Sequence, residues 1–204
     1  MSTIPEIDPR RAALLVMDVQ KQIVDHFAAD AEGLLTRTAS LLDAARASGL
    51  LVVYVVVGFR PGFPEVSPNN QSFGAIRQSG RFSFDGPPEA SIHPAVAPRE
   101  GEVVVVKHRV SAFHGTDLDM ILRANGRDTL ILSGIATSGV VLSTLRHAAD
   151  ADYRIVVAED CCADMDPEVH ACLTGKVFPR QATVAKSEEV RNALLAQLSA
   201  SESR

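Results

Sequence analysis

Short runs of Val, Ile, Leu and Ala recur along this 204-residue chain, at 12–17, 51–57, 103–106, 129–133, 154–158 and 182–185, and alternate with segments of helical spacing. That alternation gives parallel strands joined by crossover helices that cover both faces of the sheet. The runs are nearly unbroken rather than polar at every second position, as strands buried on both faces require. Helices are expected at 31–48, 116–124, 138–149, 167–176 and 187–198. In the first, Leu34, Leu35, Thr38, Leu41, Leu42 and Ala45 form one apolar stripe, and Gly49 stands where a C′ glycine would end it. The last is expected to open on Ser187 as N-cap and to turn Val190, Leu194 and Leu195 inward.

The length fits a single domain spanning residues 1–204, which buries about 70% of its unfolded surface and needs no disulfide or structural metal to fold. A net charge of −5 without a basic run argues against nucleic acid as partner. No apolar stretch approaches the ~18 residues of a membrane span, and the start Met1-Ser2-Thr3-Ile4-Pro5 has no leader pattern, so a soluble, cytoplasmic protein is expected. The adjacent Cys161 and Cys162 with Cys172 make neither a disulfide framework nor a zinc spacing. Neighbouring Glu159, Asp160 and Asp164 are expected to raise the first two thiols, and Cys172 is expected in the core.

One stretch departs from the strand–helix rhythm. Residues 58–100 hold seven of the eleven prolines and five of the eight phenylalanines: Phe59, Phe63, Phe73, Phe82 and Phe84. A disordered loop of that length would lack aromatics, so an ordered excursion is expected, serving as a wall or lid over a pocket or as a subunit contact.

In a doubly wound sheet, ligands bind beyond the carboxyl ends of the strands. Asp18 ends the first run and Lys107 the third. Each alone reads as a turn residue or a solvated charge; together they can pair in a partly desolvated cleft and tune one another for acid/base work. Leu130 to Val141 runs from a strand through a tight turn into a helix, which directs backbone amides at the same cleft and suits an anion, unless Thr137 or Ser138 simply caps the helix. Ser138 lacks the flanking glycines of a nucleophile elbow, which argues against a serine hydrolase. His108 and His114 flank Lys107 within reach of a substrate, and His147 is expected on a helix surface.

Asp18-Val19-Gln20, the stretch from Lys107 to Leu118 (Lys-His-Arg-Val-Ser-Ala-Phe-His-Gly-Thr-Asp-Leu) and the turn Gly134-Ile135-Ala136-Thr137, in that order, resemble the isochorismatase-like hydrolase superfamily. The resemblance runs from about residue 12 to 185. It implies a three-layer α/β/α, Rossmann-like fold with a six-stranded parallel sheet, and a homodimer or homotetramer. It places the family's catalytic acid on Asp18 and its lysine on Lys107, and a cis peptide before Ala136. Substrate contacts are implied at Gln20, Arg109, Phe113, Ala136 and Val140.

The family's nucleophilic cysteine falls on Val140, which has no atom able to attack a carbonyl, so a covalent thioester route is closed there. The metal-binding histidines of the nicotinamidase branch have no counterpart after the second strand before His93, so neither a metal nor any other cofactor is expected. These features imply a hydrolase of the isochorismatase type working without a covalent intermediate on a small molecule. Asp18 would act as acid/base and Lys107 would stabilise charge, with Arg60, Arg109 and Lys107 favouring a carboxylate-bearing substrate. The alternative is a ligand-binding or scaffold member of the same fold that has lost catalysis.

Overall fold

Strand β1 (Ala12–Met17) is buried along its whole length and forms the centre of the sheet. Its alternate residues point to opposite sides: Ala12, Leu14 and Val16 into one core, Ala13, Leu15 and Met17 into another. The computed structural model, which describes residues 4–83 and 86–202, pairs β1 in parallel with β2 (Leu51–Val57) and with β4 (Thr129–Ile135). Strands β3 (Val103–Lys107), β5 (Arg154–Ala163) and β6 (Thr183–Ala185) complete a six-stranded parallel sheet in the order β3-β2-β1-β4-β5-β6. The strand order reverses between β1 and β4, so the crevice at their carboxyl ends is the topological switch point.

Helices α1 (Lys21–Phe27), α2 (Ala31–Ala47), α3 (Gln71–Ser79) and α7 (Ser187–Glu202) pack on the first face, contributing Ile23, Leu34, Leu41, Phe73 and Val190 to its core. Helices α4 (Leu118–Ala124) and α5 (Leu142–Asp150) cover the other with Leu118, Leu122, Leu145 and Ala148. The apolar stripe of α2 is buried as expected. The helix ends in a Schellman arrangement: Gly49 at φ 68° donates to Arg46 O and Leu50 N donates to Ala45 O.

Several local expectations are corrected. The 138–149 helix begins with a π-helical turn, Thr137–Val141, and the helix expected at 167–176 is α6 (Pro167–Cys172) followed by a second such turn. The helices α1 and α3 were not expected. Ser187 is the first residue of α7 rather than the one before it, and its hydroxyl and backbone N–H both donate to the Asp160 carboxylate. Leu195 is exposed while Val190 and Leu194 are buried. Cys172 is exposed rather than in the core.

The 58–100 stretch carries α3 and two 3-10 turns. Its Phe59 ring lies against Phe63, Phe73 and His108. Phe84 lies outside the described residues. No helix among the described residues is long and apolar enough to cross a membrane.

Candidate active site

Asp18 is the first residue past β1, and its backbone takes φ 55°, uncommon for any residue but glycine and tolerated best by Asp and Asn. Its N–H donates to Val55 O (2.7 Å), fixing the exit of β1 against β2. Lys107 closes β3, two strands away, so the strand ends stand roughly 9–10 Å apart. The four-carbon stem of the lysine crosses that gap: Nζ reaches Asp18 Oδ2 at 2.8 Å, with the side chains only 3% and 7% exposed. Lys107 Nζ also donates to Arg109 O (3.1 Å), and Asp18 Oδ1 is buried without a partner.

Burial pushes the Asp18 carboxyl above its usual range, against the pull of the Lys107 ammonium. The ammonium therefore has one donor left, and the carboxyl one uncommitted oxygen.

The β4 strand delivers the third element. Gly134, paired with Met17, leads through the cis peptide Ile135–Ala136, the position the resemblance implied, into the turn that opens α5. Ala136 O accepts from Gly139 N (3.0 Å) and Val141 N (3.3 Å), closing the turn on itself. Neither Thr137 nor Ser138 caps the helix: Thr137 Oγ1 bonds His170 Nδ1 (2.8 Å), and Ser138 N donates to Asp164 Oδ2 (2.7 Å). Val140 is buried among the apolar residues of the second core.

The other sequence-derived residues play varied parts. The Gln20 amide is a buried bracket: Oε1 accepts from Val57 N (2.9 Å), while Nε2 donates to Val57 O and Ser91 Oγ, both at 3.1 Å. It ties the ends of β1 and β2 to the 88–91 turn. Arg109 is half-buried, and its guanidinium donates to His108 O and Glu65 O (3.1 Å), pinning the 58–100 stretch beside Lys107. Phe113 stands apart, its ring stacked on His147 at 4.6 Å and tilted against Tyr153, just before the amino end of β5.

His108 Nδ1 lies 2.5 Å from Gly58 O; a carbonyl only accepts, so this nitrogen carries the proton. His114 and His147 are exposed. Arg60 pairs with Glu65 Oε1.

Cys161 and Cys162 lie within β5, not beyond it. Burial is the main cause that raises both thiols, Cys161 to about 11, with the neighbouring acids secondary. His93 is committed locally, its Nδ1 accepting from Ala95 N (3.2 Å). No group of three or more His, Cys, Asp or Glu among the described residues is placed to hold a metal ion.

Sequence reading missed Glu65, His170 and Asp164. All three lie far in sequence from the motifs they touch, and nothing in their spacing marks them.

A doubly wound sheet with an acid–lysine pair at its switch point and a tight turn at the end of β4 places polar groups where such folds bind ligands. The isochorismatase domain model matches residues 12–189. An isochorismatase family protein of Escherichia coli O157:H7, YecD, is 32% identical over 93% of this chain and 99% of its own length. The ureidoacrylate amidohydrolase RutB of Rhizobium rhizogenes is 30% identical over 90% of this chain and 79% of its own. Among solved structures, an isochorismatase family protein from Burkholderia thailandensis superposes with a TM-score of 0.80 at 30% identity, covering 94% of this chain and 98% of the other. The chain belongs to the isochorismatase family of hydrolases.

Proposed function

We propose that this hydrolase works without a covalent enzyme intermediate on a small, carboxylate-bearing molecule. The observation that carries the reading is the buried Lys107–Asp18 pair, 2.8 Å apart, with Asp18 Oδ1 unpartnered, beside a turn whose nucleophile position is occupied by Val140. A carboxyl and an ammonium so deeply desolvated are costly to keep for stability alone.

Asp18, held toward its protonated form by burial, donates a proton to the substrate through Oδ1. Lys107 stabilises the negative charge of the substrate with its remaining donor. The backbone amides of Ala136 and Val140 serve as the anion-binding face of the turn. With an enol ether the proton goes to carbon, and water adds to the resulting oxocarbenium carbon and returns a proton to Asp18. Collapse of the hemiketal then breaks the C–O bond to release a ketone and an alcohol. A carboxylate on the substrate is supported by the Lys107 and Arg109 charges, and by the relative named for ureidoacrylate, itself a carboxylate. We further propose a cytoplasmic homodimer or homotetramer, a single domain, and no metal or other cofactor.

The test is hydrolysis of a panel, isochorismate and related enol ethers beside maleamate, ureidoacrylate and nicotinamide, by the wild type and Asp18→Asn. Enol-ether turnover that disappears in Asp18→Asn supports proton donation by Asp18. Turnover unchanged in the variant overturns it, and amide turnover would require a nucleophile other than Val140. A panel with no turnover at all favours the binding-protein alternative.

A further inference from the structure

The turn between Ala136 and Val141 is held from outside by two side chains that the mechanism above does not use. Thr137, fully buried, has its hydroxyl 2.8 Å from His170 Nδ1 on α6. One residue on, the Ser138 N–H donates to Asp164 Oδ2 at 2.7 Å. The two anchors lie on one hydrogen-bonded stretch of chain, in which Asp166 N donates to Asp164 Oδ1 at 3.5 Å. Asp166, two residues past Asp164, accepts at Oδ1 from Glu168 N and Val169 N and so starts α6; His170 N in turn donates to Asp166 O, and His170 O accepts from Thr174 Oγ1.

Helix α6 contributes no buried residue of its own. A short helix with nothing in the core, joined to the turn through His170 and preceded by Asp164, which holds the next residue of the turn, is placed to orient that turn rather than to stabilise the fold.

We propose that His170 and Asp164 form a two-point clamp that sets the direction of the Ala136 and Val140 amides relative to Asp18. Both are positioning residues, acting through Thr137 and Ser138. The inference rests on the proposed role of the turn as the anion-binding face of the site. Gly134 fixes where the turn begins, because its lack of a β-carbon lets β4 close onto Met17 O. The clamp fixes where it points.

Because Asp164 already occupies the Ser138 amide, the outward side of the turn is satisfied within the chain. An incoming anion is thereby directed to the remaining amides.

The experiment uses the whole chain and formate, the smallest carboxylate, as probe. Backbone amide hydrogen exchange over 137–141 and formate-induced shifts of the Ala136 and Val140 amides are recorded for the wild type, His170→Ala, His170→Asn, Asp164→Ala and Asp164→Asn. An asparagine side chain places a polar atom near the Nδ1 position of histidine, and Asn at 164 keeps an acceptor for Ser138 N–H.

Each alanine variant is expected to speed exchange in the turn about fivefold, the factor one net hydrogen bond supports, and to weaken formate binding. Each asparagine variant is expected to restore both, while β1 and β2 keep wild-type protection throughout. Unchanged exchange in the turn, faster exchange spread over the whole sheet, or failure of asparagine to restore either readout overturns the clamp. Wild-type amides that ignore formate overturn the anion-binding role of the turn instead, and the exchange readout then decides the clamp by itself.

Discussion

Met17 O lies 2.1 Å from where a β-carbon on Gly134 would stand, so the ends of β1 and β4 meet at a distance only glycine permits. Gly134 also holds φ 142°, a conformation that other residues rarely adopt. Asp18 leaves β1 immediately after Met17, and the Ala136 turn leaves β4 immediately after Ile135. This contact therefore fixes the spacing between the strand ends from which Asp18 and the Ala136 turn depart.

Gly134→Ala must push β1 and β4 apart and strain its own backbone. A loss of about 3 kcal/mol or more is expected in urea unfolding. Glycine positions such as Gly62 and Gly101, where a β-carbon meets nothing, should tolerate alanine at the smaller cost of positive φ alone. Equal losses at Gly134 and Gly62 would show that close approach is not what matters.

Burial raises the carboxyl pKa of Asp18 above 3.8, so the protonated form is favoured by folding. Its contribution to stability is complete below the unfolded value and is lost as pH rises through the raised folded value. Asp18→Asn cannot ionise and lacks that loss. The stability of the variant relative to wild type should therefore improve steadily from pH 4 to pH 9 in chemical denaturation. Turnover that needs the proton on Asp18 should fall over the same rise. A wild type and variant whose difference in stability is independent of pH would contradict the raised value.

Lys107→Met strips the ammonium that compensates the Asp18 carboxylate whenever that buried group is ionised. About 3–5 kcal/mol should be lost. Adding Asp18→Asn should return most of it, which a double-mutant cycle measures directly. Additive effects would mean that the 2.8 Å pair is not coupled in solution.

Asp128, at the opposite end of the sheet, is bound by Arg11, Thr129 and Arg154, and these hydrogen bonds hold its carboxyl down to about 2. A depressed pKa gives stability that is present above the unfolded value of 3.8 and is lost as pH falls toward 2. The Asp128 side chain is about a third exposed, so after solvent screening the contribution is on the order of 1 kcal/mol. Asp128→Asn should flatten the acid limb of stability between pH 4 and pH 2 by that amount.

The strands were legible because a parallel sheet covered on both faces imprints continuous apolar runs. β1 and β2 lie where those runs lie, whereas β5 extends five residues past its apolar run, through Glu159 to Ala163. Asp18 and Lys107 were legible because each is the charged residue that ends such a run. The short α1 and α3 escaped because neither has a long apolar stripe: α1 buries only Ile23 and Val24, and α3 only Phe73. Gln20 and Phe113 entered the candidate site through the motifs that carry the family resemblance. The first spends its amide on backbone bracketing and the second its ring on α5, outcomes set by tertiary contacts that no spacing encodes. His170 and Asp164 were invisible for the same reason, each meeting its partner across 33 and 26 residues respectively.

Val140 offers the most direct test of the proposal that the site works without a thiol nucleophile. Val140→Cys is nearly volume-conserving and should cost only about 1 kcal/mol. In wild type, Cys161 and Cys162 are buried with raised thiols, and Cys172 is exposed. In a Cys172→Ala background, iodoacetamide should therefore leave the native chain unmodified, because a buried, protonated thiol is a poor nucleophile. Val140 is as buried as Cys161 and Cys162, so alkylation of Val140→Cys requires that the position open onto the cleft and that the Lys107 ammonium favour the thiolate; Lys107→Met should then suppress it. The Val140→Cys variant should acquire hydrolysis of a simple amide such as maleamate, through attack by sulfur, release of ammonia and hydrolysis of the resulting thioester by water. No alkylation at residue 140 in the folded protein would show that this position does not open onto the Asp18–Lys107 cleft, and would remove Val140 from the site.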